Sequence, residues 1–124
     1  MHHVQKFKEA LSFDDVLLVP KFSEVMSRKE INIKQELKKV RYKPFTLPVI
    51  ASPMDTISEV DMARAVSDCG GVAIIHRYNS IEEQAKMVMD VINTGHTVGA
   101  AIGVGDDFAK RAEALVRVGV SFLC

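Results

Sequence analysis

Ser52, Met54, Asp55 and Thr56 stand together in the stretch Leu47-Pro48-Val49-Ile50-Ala51-Ser52-Pro53-Met54-Asp55-Thr56, and their side chains suit a small polar ligand. The Ser52 and Thr56 hydroxyls can donate hydrogen bonds, the Met54 thioether can lie against a flat ring, and the Asp55 carboxylate can accept from a ligand or from loop amides. The same residue types also build a turn and cap a helix. His76 ends an apolar run, where an imidazole either faces a pocket or is satisfied within the fold. Gly103-Val104-Gly105-Asp106 can bring backbone amides and a helix N-terminus towards an anion, although the Asp106 charge opposes bound phosphate. Asp14 and Asp15 form an acidic pair without a nearby histidine or third carboxylate, so a metal there needs partners from far along the chain. Cys69 falls at an expected helix C-terminus, a poor place for a nucleophilic thiolate, and Cys124 lies in a strand-like run that reads as buried. No serine, histidine and acid arrangement stands out.

Composition narrows the classes. The chain has 124 residues, 48% of them hydrophobic, which suffices for one domain with a core. Its formal net charge is zero, which argues against a dedicated nucleic-acid surface, since such surfaces rest on clustered Lys and Arg. The basic cluster Lys34–Lys43 reads as a solvated face or loop. With two cysteines and no metal-ligand spacing, reduced thiols in a cytoplasmic setting are expected, rather than a disulfide scaffold. No apolar run approaches the ~20 residues of a membrane span, and the first residues lack a signal peptide's apolar segment. His2-His3 is too short to read as a tag or a metal site.

These candidates need elements to position them. Residues 1–46 read as an irregular arm that packs on the main body, with an extended stretch after Pro20 and a short strand near Glu30–Lys34. From Leu47 onward the pattern becomes regular. Leu47–Ala51 reads as a strand buried on both faces. A helix follows, capped by Ser58 and Asp61, with Val60, Ala63 and Val66 on its apolar face and Gly70-Gly71 at its end. Val72–Ile75 is a second strand, and a Ser80/Glu83 capping box opens a helix that buries Ile81, Ala85, Val88 and Ile92. Thr97–Ile102 is a third strand. Asp106 caps a third helix carrying Phe108, Ala112, Leu115 and Val116, and Val120–Cys124 is a fourth strand.

The order β-α-β-α-β-α-β with short connections implies an α/β fold with a parallel sheet and right-handed crossovers. Two architectures fit: an open doubly wound sheet, or part of an eight-stranded barrel, which needs about 250 residues. The dinucleotide fingerprint is incomplete, because Phe108 stands where Gly103-Val104-Gly105 requires a later glycine or alanine. A chain that stops on an apolar strand, Phe122-Leu123-Cys124, reads as a fragment.

Ala10–Pro20, the Ser52-Pro53-Met54-Asp55-Thr56 loop, Gly70–His76 and Val98–Gly103 resemble, in order and over nearly the whole chain, the amino-terminal part of the inosine-5′-monophosphate dehydrogenase and GMP reductase family. The resemblance implies the first half of a (β/α)8 TIM barrel over residues 47–124. Its members oxidise IMP to XMP with NAD, or reduce GMP to IMP with NADPH. A cysteine thiolate in a later loop attacks the purine, and neither Cys69 nor Cys124 matches it. The chain alone is therefore expected to be inactive, with the catalytic loop, the phosphate loops, the mobile flap and a monovalent-cation site beyond it.

By the same resemblance Ser52 and Met54 contact the substrate nucleotide, Met54 near the base. His76 lies towards the nicotinamide of the NAD cofactor. Val91–Val98 leaves no room for the paired CBS domains that many of the dehydrogenases insert. Their absence counts against the dehydrogenase, since reductases also lack them, whereas the Ser-Pro-Met-Asp-Thr loop leans to the dehydrogenase. Expected partners are IMP or a related purine nucleotide, and further copies of the chain (the family is tetrameric) or a complementary half. Neither nucleic acid nor membrane is expected.

Overall fold

The computed structural model describes residues 8–34 and 45–124. The chain divides into two compact units, Met1–Ile31 and Asn32–Cys124. His2-His3 and most of the Lys34–Lys43 cluster lie outside the described residues.

In the first unit, short 3-10 turns form at Phe13–Asp15 and Arg28–Glu30. The Asp15 carboxylate accepts from both the N–H and the hydroxyl of Ser12, each at 2.8 Å, which lowers its pKa. The strand expected near Glu30–Lys34 is replaced by the second of these turns, followed by an Asx turn in which Lys34 N–H donates to Asn32 Oδ1 at 2.9 Å.

The second unit is a four-stranded parallel sheet with strands in sequential order: β1 Ile50–Ala51, β2 Val72–Ile75, β3 Val98–Ala100 and β4 Phe122–Leu123. Helices α1 Val60–Asp68, α2 Ile81–Ile92 and α3 Phe108–Arg117 connect them. Register follows from the pairs Ile50 with Val72, Ile74 with Gly99, and Ala100 with Leu123. Because side chains alternate across a strand, Ala73 and Ile75 of β2 share one face with Val98 and Ala100 of β3. That face packs on Ala63 of α1, Val88 and Val91 of α2, and Leu115 of α3. Burying one such aliphatic side chain contributes roughly 1.5–3 kcal/mol.

Gly70 and Gly71 do more than stop α1. Gly70 has φ +87°, and a Cβ there would lie 1.8 Å from Thr46 Oγ1, while one at Gly71 would meet Val49 O at 2.7 Å. The approach to β1 threads through this gap, and Leu47 N–H donates to Gly70 O at 3.0 Å. Only glycine fits.

Several expectations need correction. β1 is shorter than Leu47–Ala51 and is not buried on both faces: Val49 and Ile50 are half exposed, because β1 has β2 on one side and no described strand on the other. The Ser58/Asp61 capping box does not form, since α1 begins at Val60 and the Ser58 hydroxyl donates instead to Ser52 O. Asp106 does not cap α3; Asp107 stands at that position, and its carboxylate is taken by Arg111. The helix faces are rotated from those expected. α2 buries Gln84, Val88 and Val91, and α3 buries Arg111 and Leu115 while Phe108 and Val116 are exposed. Cys124 is exposed, because it follows the edge strand β4. The Ser80/Glu83 capping box is present as expected, with Glu83 N–H donating to Ser80 Oγ at 3.1 Å and Ser80 N–H to Glu83 Oε2 at 3.0 Å.

Candidate functional site

All four parallel strands point their carboxyl ends the same way, so the loops after β1, β2 and β3 gather at one end of the sheet. Ser52, Met54 and His76 all lie there. The loop after β1 is closed by its own backbone: Met54 O accepts from Ile57 N–H at 3.2 Å and Ser58 N–H at 2.9 Å, and Thr56 takes φ 60° between them. The Ser58 hydroxyl, buried, ties this turn back to Ser52 O. Thus the Ser52 carbonyl serves the loop, while its side chain is exposed and the Met54 side chain is half exposed.

His76 is 1% exposed, and both ring nitrogens have partners. Nδ1 accepts from Tyr78 N–H at 3.2 Å, so it holds a lone pair. In the neutral ring the proton then sits on Nε2, which donates to Glu59 Oε1 at 3.1 Å. Asp55 Oδ1 lies 3.9 Å from the same Nε2. Ligand atoms of Asp55, Glu59 and His76 lie within 4.8 Å of one another, close enough to hold a metal. The tautomer opposes that use, since a cation would need the Nε2 lone pair while Tyr78 N–H already claims the other. What Glu59 and His76 build is a hydrogen-bonded brace between the first and second loops, with Asp55 beside it.

His76 also anchors its neighbours. The Tyr78 ring stacks beside the imidazole, with centroids 6.1 Å apart, and the Arg77 guanidinium lies 5.7 Å from the Tyr78 centroid. Arg77 and Tyr78 are exposed at the end of the sheet where the candidate residues lie.

Beneath the second and third loops runs a polar network. Gln84 is fully buried, and its Nε2 donates to Ala101 O at 2.8 Å and Ile75 O at 3.3 Å, just where β2 and β3 finish. Arg111 Nη1 donates to Gln84 Oε1 at 2.9 Å, and its Nη2 reaches Asn79 O at 3.2 Å and Asp107 Oδ2 at 2.9 Å. The network ties α2 and α3 to the carboxyl ends of the strands, which keeps the candidate loops in place.

Glu59, Tyr78, Gln84 and Arg111 were not singled out by residue type and spacing. The spacing of Gln84, Val88 and Val91 is helical and could have exposed Gln84 as a core position. Nothing local links Glu59 to His76. Asp14-Asp15 lies in the other compact unit, and Gly103–Asp106 lies in the loop after β3. At the opposite end of the sheet a cavity of about 360 Å³ is lined by Phe45, Asp68, Gly70, His96 and Thr97 among others. Its polar side chains serve each other, with His96 Nε2 2.9 Å from Asp68 Oδ1.

Comparison with known proteins gives this geometry a family. A family model described as IMP dehydrogenase / GMP reductase domain matches residues 10–124. The chain is 43% identical over 90 residues to an inosine-5'-monophosphate dehydrogenase of Nitrosopumilus maritimus, an alignment covering 73% of this chain and 18% of that protein. It is 48% identical over 81 residues to the enzyme of that name from Bacillus subtilis, covering 65% and 16%. A GMP reductase of Leishmania donovani is 43% identical over 83 residues, covering 67% and 16%. The chain thus spans less than a fifth of the length of these relatives. Over nearly all of its own length, it belongs to the IMP dehydrogenase / GMP reductase family.

Proposed function

We propose that this chain forms the first part of the nucleotide site of an IMP dehydrogenase, the enzyme that converts IMP, NAD and water to XMP and NADH in guanine nucleotide synthesis. The observation that carries this reading is the convergence of Ser52, Met54 and the His76 turn at one end of a parallel sheet in a chain of this family. Sequential strand order, with α2 packed between α1 and α3, supports a barrel wall over residues 47–124 rather than a doubly wound sheet. Residues 1–46 are proposed as an arm against that wall.

In this reading the Ser52 hydroxyl and the Met54 thioether contact the purine nucleotide. Both side chains have the accessibility this requires, and the backbone bonds through Met54 O hold them in place. NAD supplies the hydride acceptor. His76, expected on the cofactor side, is proposed to fix that loop, a reading supported by its burial and its bonds at both ring nitrogens, with Arg77 and Tyr78 exposed beside it. The family's reacting cysteine matches neither Cys69 nor Cys124, so the 124-residue chain alone is proposed to be inactive and to work with a complementary half of the barrel, in a homo-oligomer, in the cytoplasm. No helix among the described residues is long and apolar enough to cross a membrane.

GMP reductase is the second reading, favoured by relatives of that name at comparable identity. Mixing the chain with the complementary half and following absorbance of the nicotinamide separates the two. NADH formation with IMP and NAD is expected. Turnover only with GMP and NADPH would establish the reductase, and failure of the halves to associate would remove the two-part assembly.

A further inference from the structure

Arg77 stands exposed at the ligand end of the sheet, and its charge has no acidic partner there. Among the described residues no carboxylate lies within ion-pair distance of its guanidinium, whereas Arg64, Arg111 and Arg117 each have an acidic partner. It is nevertheless held in place. One side of it rests over Gly103, where a Cβ would lie 2.9 Å from both Cζ and Nε of Arg77. The guanidinium also faces the Tyr78 ring. Gly103 has φ +67°, a conformation in which any larger residue is strained, so the loop after β3 is shaped to admit this side chain.

The surroundings suit an anion. Among the described residues no acceptor takes the N–H of Gly103, which lies against the guanidinium, or of Val104 or Gly105, which follow it in the loop. Charges opposing an anion lie in the following turn, where Asp107 is paired with Arg111, and the exposed Asp106 is turned to solvent with no cation among the described residues. Arginine is always charged, and its planar fork matches phosphate oxygens. The Tyr78 ring, backed by His76, offers a flat exposed surface beside it.

We propose that Arg77 and Tyr78, seated on Gly103, form a contact for the phosphate groups and adjoining ring of a nucleotide, Arg77 binding the phosphate and Tyr78 stacking on the base. This rests on the family reading above and adds to it a phosphate contact on the His76 turn, separate from Ser52 and Met54. The contact is complete within this chain. Arg77→Ala and Tyr78→Ala change exposed side chains and leave the core untouched.

The test is calorimetric titration of the 124-residue chain with ADP, inorganic pyrophosphate and IMP. Arg77→Ala is expected to weaken both ADP and pyrophosphate by about tenfold or more, the worth of a charged hydrogen bond. Tyr78→Ala should weaken ADP by about fivefold or more and leave pyrophosphate alone, as loss of a stacking partner does. Gly103→Ala, which displaces the guanidinium, should reproduce the Arg77→Ala loss. Equal binding of ADP and pyrophosphate by the unmodified chain would remove the role given to Tyr78. Affinities for both within twofold of the unmodified chain in Arg77→Ala would overturn the proposal. IMP binding that depends on Met54 would then leave the family reading standing; conversely, an unmodified chain that binds no IMP but binds ADP through Arg77 would remove that reading and keep this one.

Discussion

His76 Nε2 donates to Glu59 Oε1 across 3.1 Å, joining the end of the second strand to the residue that opens the first helix. With Tyr78 N–H on the other ring nitrogen, the imidazole is a buried strut between two loops rather than a group offered to solvent. Glu59→Ala should cost about 1 kcal/mol, the net worth of one hydrogen bond, while the Tyr78 N–H on Nδ1 still keeps the proton on Nε2. Glu59→Gln keeps an acceptor and should preserve the Nε2-protonated form. Nitrogen-15 spectra of the histidine rings read both results, and an Nδ1-protonated His76 in the unmodified chain would contradict the brace.

Arg111 and Gln84 should be interdependent. Arg111→Ala leaves the buried Gln84 Oε1 without its donor and the half-exposed Asp107 carboxylate without its cation, with an expected loss of about 1–3 kcal/mol, the cost of one unsatisfied buried acceptor. In a double-mutant cycle with Gln84→Leu, urea unfolding should show a coupling of at least ~0.5 kcal/mol, and additive losses would sink the network.

The Ser80/Glu83 box should weaken in acid. Backbone and then side-chain hydrogen bonds from Ser80 hold the exposed Glu83 carboxyl below its ordinary value of 4.5. A depressed folded-state pKa contributes stability above the unfolded value, and that contribution is lost as pH falls through the folded one. Amide exchange at the start of α2 should therefore quicken as pH drops below 4.5, relative to the intrinsic rate. Ser80→Ala should abolish that dependence.

Both thiols should be open to reagent. Cys69 and Cys124 are exposed, so two equivalents of a thiol reagent should react without denaturant. Protection of Cys124 would show that β4 is covered in solution, by a second copy or by another segment.

Alternation of strand and helix was legible because Val72–Ile75 and the helical spacing that follows it are strong local signals, and β2 matches its expected residues throughout. The helix faces were less legible. Gln84 and Arg111 are polar by type but satisfied inside, so a hydrophobicity pattern turns each helix away from its true buried stripe. Caps failed where another partner or position won: the Ser58 hydroxyl turned to Ser52 O, and at α3 Asp107 replaced the expected Asp106 and took its hydrogen bonds from Arg111. The placement of Ser52, Met54 and His76 at one end followed from strand direction alone, whereas Glu59, whose bond to His76 depends on tertiary geometry, could not be found in advance.

The central claim is that the purine nucleotide meets this chain at the Ser52–Thr56 loop and the His76 turn. Titrating IMP into the nitrogen-15-labelled chain and mapping the backbone amide shifts tests it most directly. The account predicts the largest changes at Ser52, Met54, Asp55 and the residues from His76 to Tyr78. Changes centred instead on the cavity at the other end of the sheet, at Phe45, Asp68 and His96, would contradict it.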